Sequence, residues 1–234
     1  MKKLLNSLLI LLLLSFQNSF SQTFEISEIF ETSSVILGKK LNIEDYSKAA
    51  GSPYLNKKFK SGKLIFKNGK IYDVLTRLNV GSQKFEIKKD FNSNPNLIEI
   101  DNSVKVEMDG IIYKSHTINL DGQEVIAVLE NCIELNNVSL YYFPRKVIKM
   151  PVETGGANAP SSGSSSDPKP KWADANEFLI KKGSEWHSVP RSFKKLLAKN
   201  IFDQKLLKKY KKANKLNLKK KESLIELVSY FNSI

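Results

Sequence analysis

The sequence of 234 residues contains one cysteine, Cys132, so no internal disulfide can hold the chain together. It contains two histidines, His116 and His187, far apart along the chain. The Cys and His spacings of metal sites are therefore missing, and a zinc site needs the fold to bring both imidazoles to a carboxylate. No HExxH, no GxSxG and no phosphate-cradling Gly loop occurs. Gly155-Gly156 is not followed by a Lys-Ser/Thr helix start. Arginine is scarce too: Arg77, Arg145 and Arg191 are all there are. Bidentate contacts to bases and phosphates favour Arg, so the scarcity argues against a nucleic-acid partner. Beyond the first residues, no apolar run is long enough to span a membrane as a helix. These absences leave no catalytic residue, no cofactor and no metal ligand to nominate. Cys132 ends an apolar stretch and reads as a small buried hydrophobe rather than a reactive thiol.

Turn signals are plentiful. Asn68-Gly69, Gly81-Ser82, Asp109-Gly110, Asp121-Gly122 and Asn136-Asn137 each separate stretches rich in β-branched and aromatic residues. Such pairs suit two-residue hairpin turns, which need positive φ. Between them the residues alternate. Phe85 and Ile87 share a face opposite Lys84, Glu86 and Lys88. Val104, Val106 and Met108 face away from Lys105 and Glu107. Residues 125–129 are apolar on both faces, which predicts a central strand covered on both sides. A meander of about seven strands built this way twists and curls, into an open sheet or a partial barrel.

The fold expected is α+β. A strongly curved antiparallel β-meander, open or partly closed, holds residues 62–150. A hairpin around Gly183-Ser184 extends it over residues 176–189. A short N-terminal helix is predicted over residues 42–50, capped by Asn42 and stopped by Gly51. Three short C-terminal helices follow the hairpin. The first spans residues 192–199, with Phe193, Leu196 and Leu197 on one face. The second is capped by Asp203, and the third covers residues 219–232. Short helices make a poor core alone, so the tail over residues 171–234 is expected to pack on the same sheet. Residues 151–170, rich in Gly, Ser and Pro, read as a flexible loop.

Residues 1–21 read as a secretory leader. Lys2 and Lys3 precede an apolar run over residues 8–14, and Ser19-Phe20-Ser21 offers small residues at the cleavage position. The apolar run is too short to cross about 30 Å of hydrocarbon. No cysteine stands near the cleavage position, so a lipid anchor is excluded from this reading. The expected location is periplasmic or secreted.

The block Gly51-Ser52-Pro53-Tyr54-Leu55-Asn56 is followed by a charged stretch with a Phe, a Gly-led strand and an Asn-Gly-Lys turn. A Lys-Lys-Gly hairpin and short Lys-rich helices ending in VSYFN close the chain. Together these resemble a family of uncharacterised exported Gram-negative proteins, over most of residues 22–234. The resemblance implies export and carries no activity. From its residues alone, the 51–56 block is a docked turn, with Tyr54 and Leu55 packed on the sheet.

Charge separates the chain into two parts. From residue 171 onward, sixteen Lys and Arg stand against six Asp and Glu, which places +10 of the formal +13 in the C-terminal region. Lys205, Lys208, Lys209, Lys211, Lys212, Lys215, Lys219, Lys220 and Lys221 crowd two helices and their link. Three readings compete: a solvated face of good helix formers, nucleic acid, or a surface for anionic envelope material. The last would meet lipid head groups, lipopolysaccharide phosphates or acidic glycans.

The function expected is a non-enzymatic envelope protein of binding or scaffold type. Tyr113, Tyr141, Tyr142 and Phe143 are the candidates for a surface facing another envelope protein. Two alternatives stand beside it. A small hydrolase requires His116 or His187 in a pocket with carboxylates or hydroxyls. A lipid carrier requires an apolar cavity within the curved sheet.

Overall fold

Ten strands pair antiparallel in one sheet that curls into a half-barrel. In chain order they are β1 (Lys60–Phe66), β2 (Ile71–Asn79), β3 (Lys84–Lys88), β4 (Asn96–Ile98), β5 (Val104–Met108), β6 (Ile111–Leu120), β7 (Gln123–Ile133), β8 (Val138–Phe143), β11 (Glu177–Lys182) and β12 (Glu185–Ser188). Between β8 and β11, β9 (Lys146–Lys149) and β10 (Lys171–Asp174) pair as a separate two-stranded sheet. Three helices follow: α1 (Phe193–Ala198), α2 (Gln204–Ala213) and α3 (Lys221–Asn232). This computed structural model describes residues 49–120, 122–151 and 169–234, all of them within one compact unit. The leader expected over residues 1–21, most of the helix expected over residues 42–50 and most of the loop expected over residues 151–170 lie outside the described residues.

The sheet is not a single meander. Its order is β12-β11-β8-β7-β6-β5-β1-β2-β3-β4. The chain runs outward from β1 to β4, then returns to lay β5 on the other side of β1. Gly62 marks the crowded place. A Cβ there would lie 2.4 Å from the Glu107 carbonyl oxygen on β5 and 2.7 Å from Thr76 Cγ2 on β2. Glycine inside a strand often signals such close approach. At the other end, β12 comes against β6, although β11, β8 and β7 separate the two in pairing order.

Several tight turns form as their residues suggest. Asp109 and Gly110 both take positive φ, 53° and 76°, joining β5 to β6. Asn136-Asn137 departs from this pattern, since neither residue has positive φ. There the chain makes a longer loop after β7, closed by the Ser139 hydroxyl, which donates to the Leu135 carbonyl and accepts from its N–H, both at 3.0 Å. A register shift between Asn131 and Ile133 accompanies it.

The 125–129 stretch is covered on both faces only from Ala127 onward, where Ala127, Val128 and Leu129 are all buried, whereas β8 is covered on both faces over most of its length. Ile126 on β7 is 68% exposed. In β8, Leu140 packs with Ile180 and the helices on one side, while Tyr141 and Phe143 pack with Leu179, Ala127 and Leu129 on the other. The helices add Leu196, Leu207, Leu224, Leu227 and Val228 to the first of these clusters, so the tail and the sheet share a core. Asn232 ties the end of α3 to the start of β8, its Oδ1 accepting from the N–H groups of Asn137 and Val138 at 3.0 and 3.1 Å.

At the start of the described chain, Ala50 is not helical. It makes an isolated parallel bridge to Lys171. The 51–56 block is a docked turn as expected. Leu55 N–H donates to the Leu78 carbonyl at 2.9 Å, and Tyr54 OH donates to Glu86. The Arg77 guanidinium stacks 3.9 Å from the Tyr54 ring centre.

Candidate anion-binding surface

Helix α2 sorts the lysines. The Asp203 carboxylate accepts from the Leu206 N–H at 2.8 Å and caps its first turn. Leu207 and Tyr210 face inward and are buried. The helical period then turns Lys205, Lys208, Lys209 and Lys212 to solvent. Lys211 lies at the edge of this face, its ammonium 4.1 Å from the Phe193 ring centre on α1. That is cation–π range and holds Lys211 beside the start of α1.

The link from α2 to α3 folds back rather than trailing. Leu218 plugs into the core. The Asn217 side chain accepts from the Lys219 N–H at 2.9 Å, and the Asn217 N–H donates to the Ser223 hydroxyl at 2.9 Å. Lys215 and Lys219 are thereby brought round towards Lys211 and Lys212. Together with Arg191 and Phe193 they line an open cleft of about 800 Å³, whose remaining wall is Ala213, Asn214, Leu216, Asn217 and Leu218. Five cations line this cleft and no carboxylate does.

Of the nine lysines expected to form one basic surface, eight are exposed. Lys205, Lys208, Lys209 and Lys220 lie outside the cleft. Lys221 is the exception, because its ammonium donates to the buried Glu130 carboxylate on β7. It is an internal partner and is withdrawn from the external surface. The three arginines divide similarly. Arg77 pairs with Glu86 at 2.6 Å and Arg145 with Glu177 at 3.0 Å. Arg191 is exposed and, among the described residues, has no carboxylate partner. Neither Arg191 nor Phe193 stands out as a site residue in the sequence. The available signal is that Arg191 is the arginine directly ahead of the Lys-rich helices.

The aromatic surface expected of Tyr113, Tyr141 and Phe143 is not a surface. All three are core side chains, at 1%, 1% and 4% exposure. Tyr113 packs edge-on against Phe85, and Tyr141 OH donates to Glu134 at 3.2 Å. Burial pushes the phenol pKa of both upward. Tyr142 is half-buried against Phe178. The exposed large apolar residues include Ile71, Phe91, Ile126, Val147 and Met150, spread over separate strands and loops.

His116 is packed between Tyr141 and Trp186, with ring centres 5.1 and 5.2 Å away. Burial, then the nearby Lys181 and Lys114, lower its pKa to about 4, and its Nε2 is buried with no hydrogen-bond partner. His187 lines an open recess of about 450 Å³ with Thr117, Glu124 and Ser184, and its Nε2 lies 3.3 Å from Glu185. Trp186 and His187 are consecutive in β12 and face opposite sides, so the two imidazoles are kept apart. Among the described residues no hydroxyl hydrogen bonds to either imidazole, and no three His, Cys, Asp or Glu side chains gather as metal ligands. Cys132 is half-buried, and burial raises its thiol pKa to about 12.

No protein-family model, curated protein or solved structure matches this chain. Among the described residues, no helix is long and apolar enough to cross a membrane.

Proposed function

We propose that this chain is an exported, non-enzymatic envelope protein that docks on anionic membrane lipid through its helical tail. The observation that carries this reading is the array of eight exposed lysines with Arg191, held on a packed scaffold and, among the described residues, without ion-pair partners. An isolated basic helix can be a solvated face. Here the core shared with the sheet fixes α2 and the α2–α3 link, which carry the exposed lysines, beside Arg191. The leader-like pattern of residues 1–21, two lysines ahead of an apolar run and small residues after it, supports export.

Lysine is a compact, strongly hydrated charge, so attraction through it is diffuse. Each Lys near an anionic bilayer contributes about 1 kcal/mol at modest salt. Screening shortens from about 10 Å at 0.1 M salt to about 3 Å at 1 M. The test is co-sedimentation with phosphatidylglycerol and phosphatidylcholine vesicles across a salt series. Binding to the anionic vesicles that fades with salt supports the reading. Equal binding to both vesicle types, or to neither, overturns it.

A further inference from the structure

The eight exposed lysines are not equivalent. Four point outward from α2 and the start of α3, whereas Lys211, Lys212, Lys215 and Lys219 surround a cleft with Arg191. A diffuse electrostatic face has no need of a cleft, of an unpaired arginine, or of apolar walls. This cleft has all three. Its walls include Phe193 and Leu216, both half-buried, beside the cations. Phe193 is already held by Lys211. The other two arginines are satisfied by Glu86 and Glu177, so Arg191 is the guanidinium left available for an outside anion.

Crowding five positive charges without a carboxylate is unfavourable in the empty cleft, and an anion relieves it. The chemistry of the walls says which kind. A guanidinium fork matches two oxygens of one phosphate. Ammonium groups around it neutralise the remaining charge as point charges. Phe193 and Leu216 suit the glycerol and upper acyl carbons that accompany a lipid phosphate, and a free inorganic ion makes no use of them. We propose that the cleft between α1 and the α2–α3 link seats the phosphate of a single anionic lipid headgroup, with Arg191 as its bidentate partner. This rests on the lipid-docking reading above and adds a defined seat to it.

Two variants that remove equal charge separate the ideas. One is R191Q/K211Q/K215Q/K219Q, which removes four of the cleft's five cations and leaves Lys212. The other is K205Q/K208Q/K209Q/K220Q, which empties the outer face. Gln retains good helix propensity, so the helices persist, and circular dichroism checks the fold. Binding of the full chain to phosphatidylglycerol vesicles is expected to fall roughly tenfold or more in the cleft variant. The outer variant should lose clearly less. Equal losses overturn the seated headgroup while leaving diffuse docking intact. No binding by the unmodified chain overturns both.

A conservative change keeps the test informative if the multiple variants misfold. R191K retains the charge and loses the fork. It should weaken vesicle binding about threefold to tenfold if the guanidinium holds a phosphate. Unchanged binding overturns the role assigned to Arg191. Inorganic phosphate at matched ionic strength provides the last arm. Displacement of the protein from vesicles by millimolar phosphate assigns the cleft to the free ion and overturns the lipid headgroup. Displacement only by a soluble glycerophospholipid headgroup with short acyl chains supports it.

Discussion

Lys221, at the start of α3, donates to the carboxylate of Glu130 in the middle of β7, 91 residues away in sequence. The two partners are unequal. Glu130 is buried at 6% exposure, whereas the Lys221 side chain is 38% exposed. The pair adds an ionic tie on β7 to the apolar core and the Asn232 hydrogen bonds that already join the helical tail to β8.

Removing either partner should therefore have different costs. Lys221→Ala strands a buried carboxylate, and a loss of roughly 2–3 kcal/mol is expected. Glu130→Gln leaves an ammonium that can swing to water, and a loss of about 1 kcal/mol is expected. Urea denaturation midpoints of the two variants measure the difference. Equal costs would show that the carboxylate finds another partner.

Gly62→Ala should be among the most damaging glycine changes. The new methyl meets the backbone of β5 at 2.4 Å, which cannot move aside as a flexible side chain can. The expected loss is about 3 kcal/mol, at the upper end of overpacking costs. Gly110→Ala meets open space, and its strain comes from φ of +76° alone. It should cost only about 1–2 kcal/mol. Thermal or urea unfolding of both variants ranks them, and the reverse order would refute the crowding argument.

Stability should depend on His116 below neutral pH. Its folded pKa, about 4, lies below the ordinary 6.5 because burial disfavours the imidazolium and Lys181 and Lys114 repel it, against a smaller opposing pull from Glu134. The folded state therefore favours the neutral ring. The stability this contributes is complete above pH 6.5 and is lost progressively as pH falls from there towards 4. His116→Phe keeps a ring between Tyr141 and Trp186 and has no proton to take up. Its unfolding midpoint should fall less than that of the parent between pH 7 and pH 4.5. Parallel pH profiles would remove His116 from the explanation.

Cys132 should resist thiol reagents while the chain is folded. Burial and the neighbouring Glu130 raise its pKa to about 12, so the thiolate is a vanishing fraction at pH 7.5. Ellman's reagent should react slowly in buffer and at an ordinary rate in denaturant. Fast labelling of the native chain would contradict the packing around β7.

What the sequence makes legible is mostly local. The turn at Asp109-Gly110 forms because both residues tolerate positive φ, and no distant contact is needed to choose it. Helix α2 follows from Asp203 and the spacing of Leu207 and Tyr210. Long-range choices were hidden. Nothing near β1 says that β5 will return to its open side, although Gly62 marks that some backbone comes close. Tyr113 and Tyr141 look like contact residues because aromatic side chains beyond the needs of a core often mark contact surfaces, yet both are buried in the folded chain. The lysines are similar. Their number is plain in sequence, but their division into an outer face, a cleft and an internal ion pair depends on where the link at Asn217 turns and on Glu130 in a distant strand.

The position of β1 between β2 and β5 also bears on how the sheet assembles. Within β1 to β4, within β5 to β8 and within the β11–β12 hairpin, successive strands of the chain pair with one another, whereas β4 and β5 do not. Two seams alone, β1–β5 and β8–β11, join distant parts of the chain within the sheet. Hairpins close within microseconds, while distant strands must first meet the entropy of a longer loop. The seams therefore set the folding rate. A chain cut between β4 and β5 leaves each piece with its own hairpins and a single strand-to-strand junction between the two. Such fragments, mixed or expressed together, should recognise each other along Gly62 to Met108 and rebuild the sheet without a covalent link.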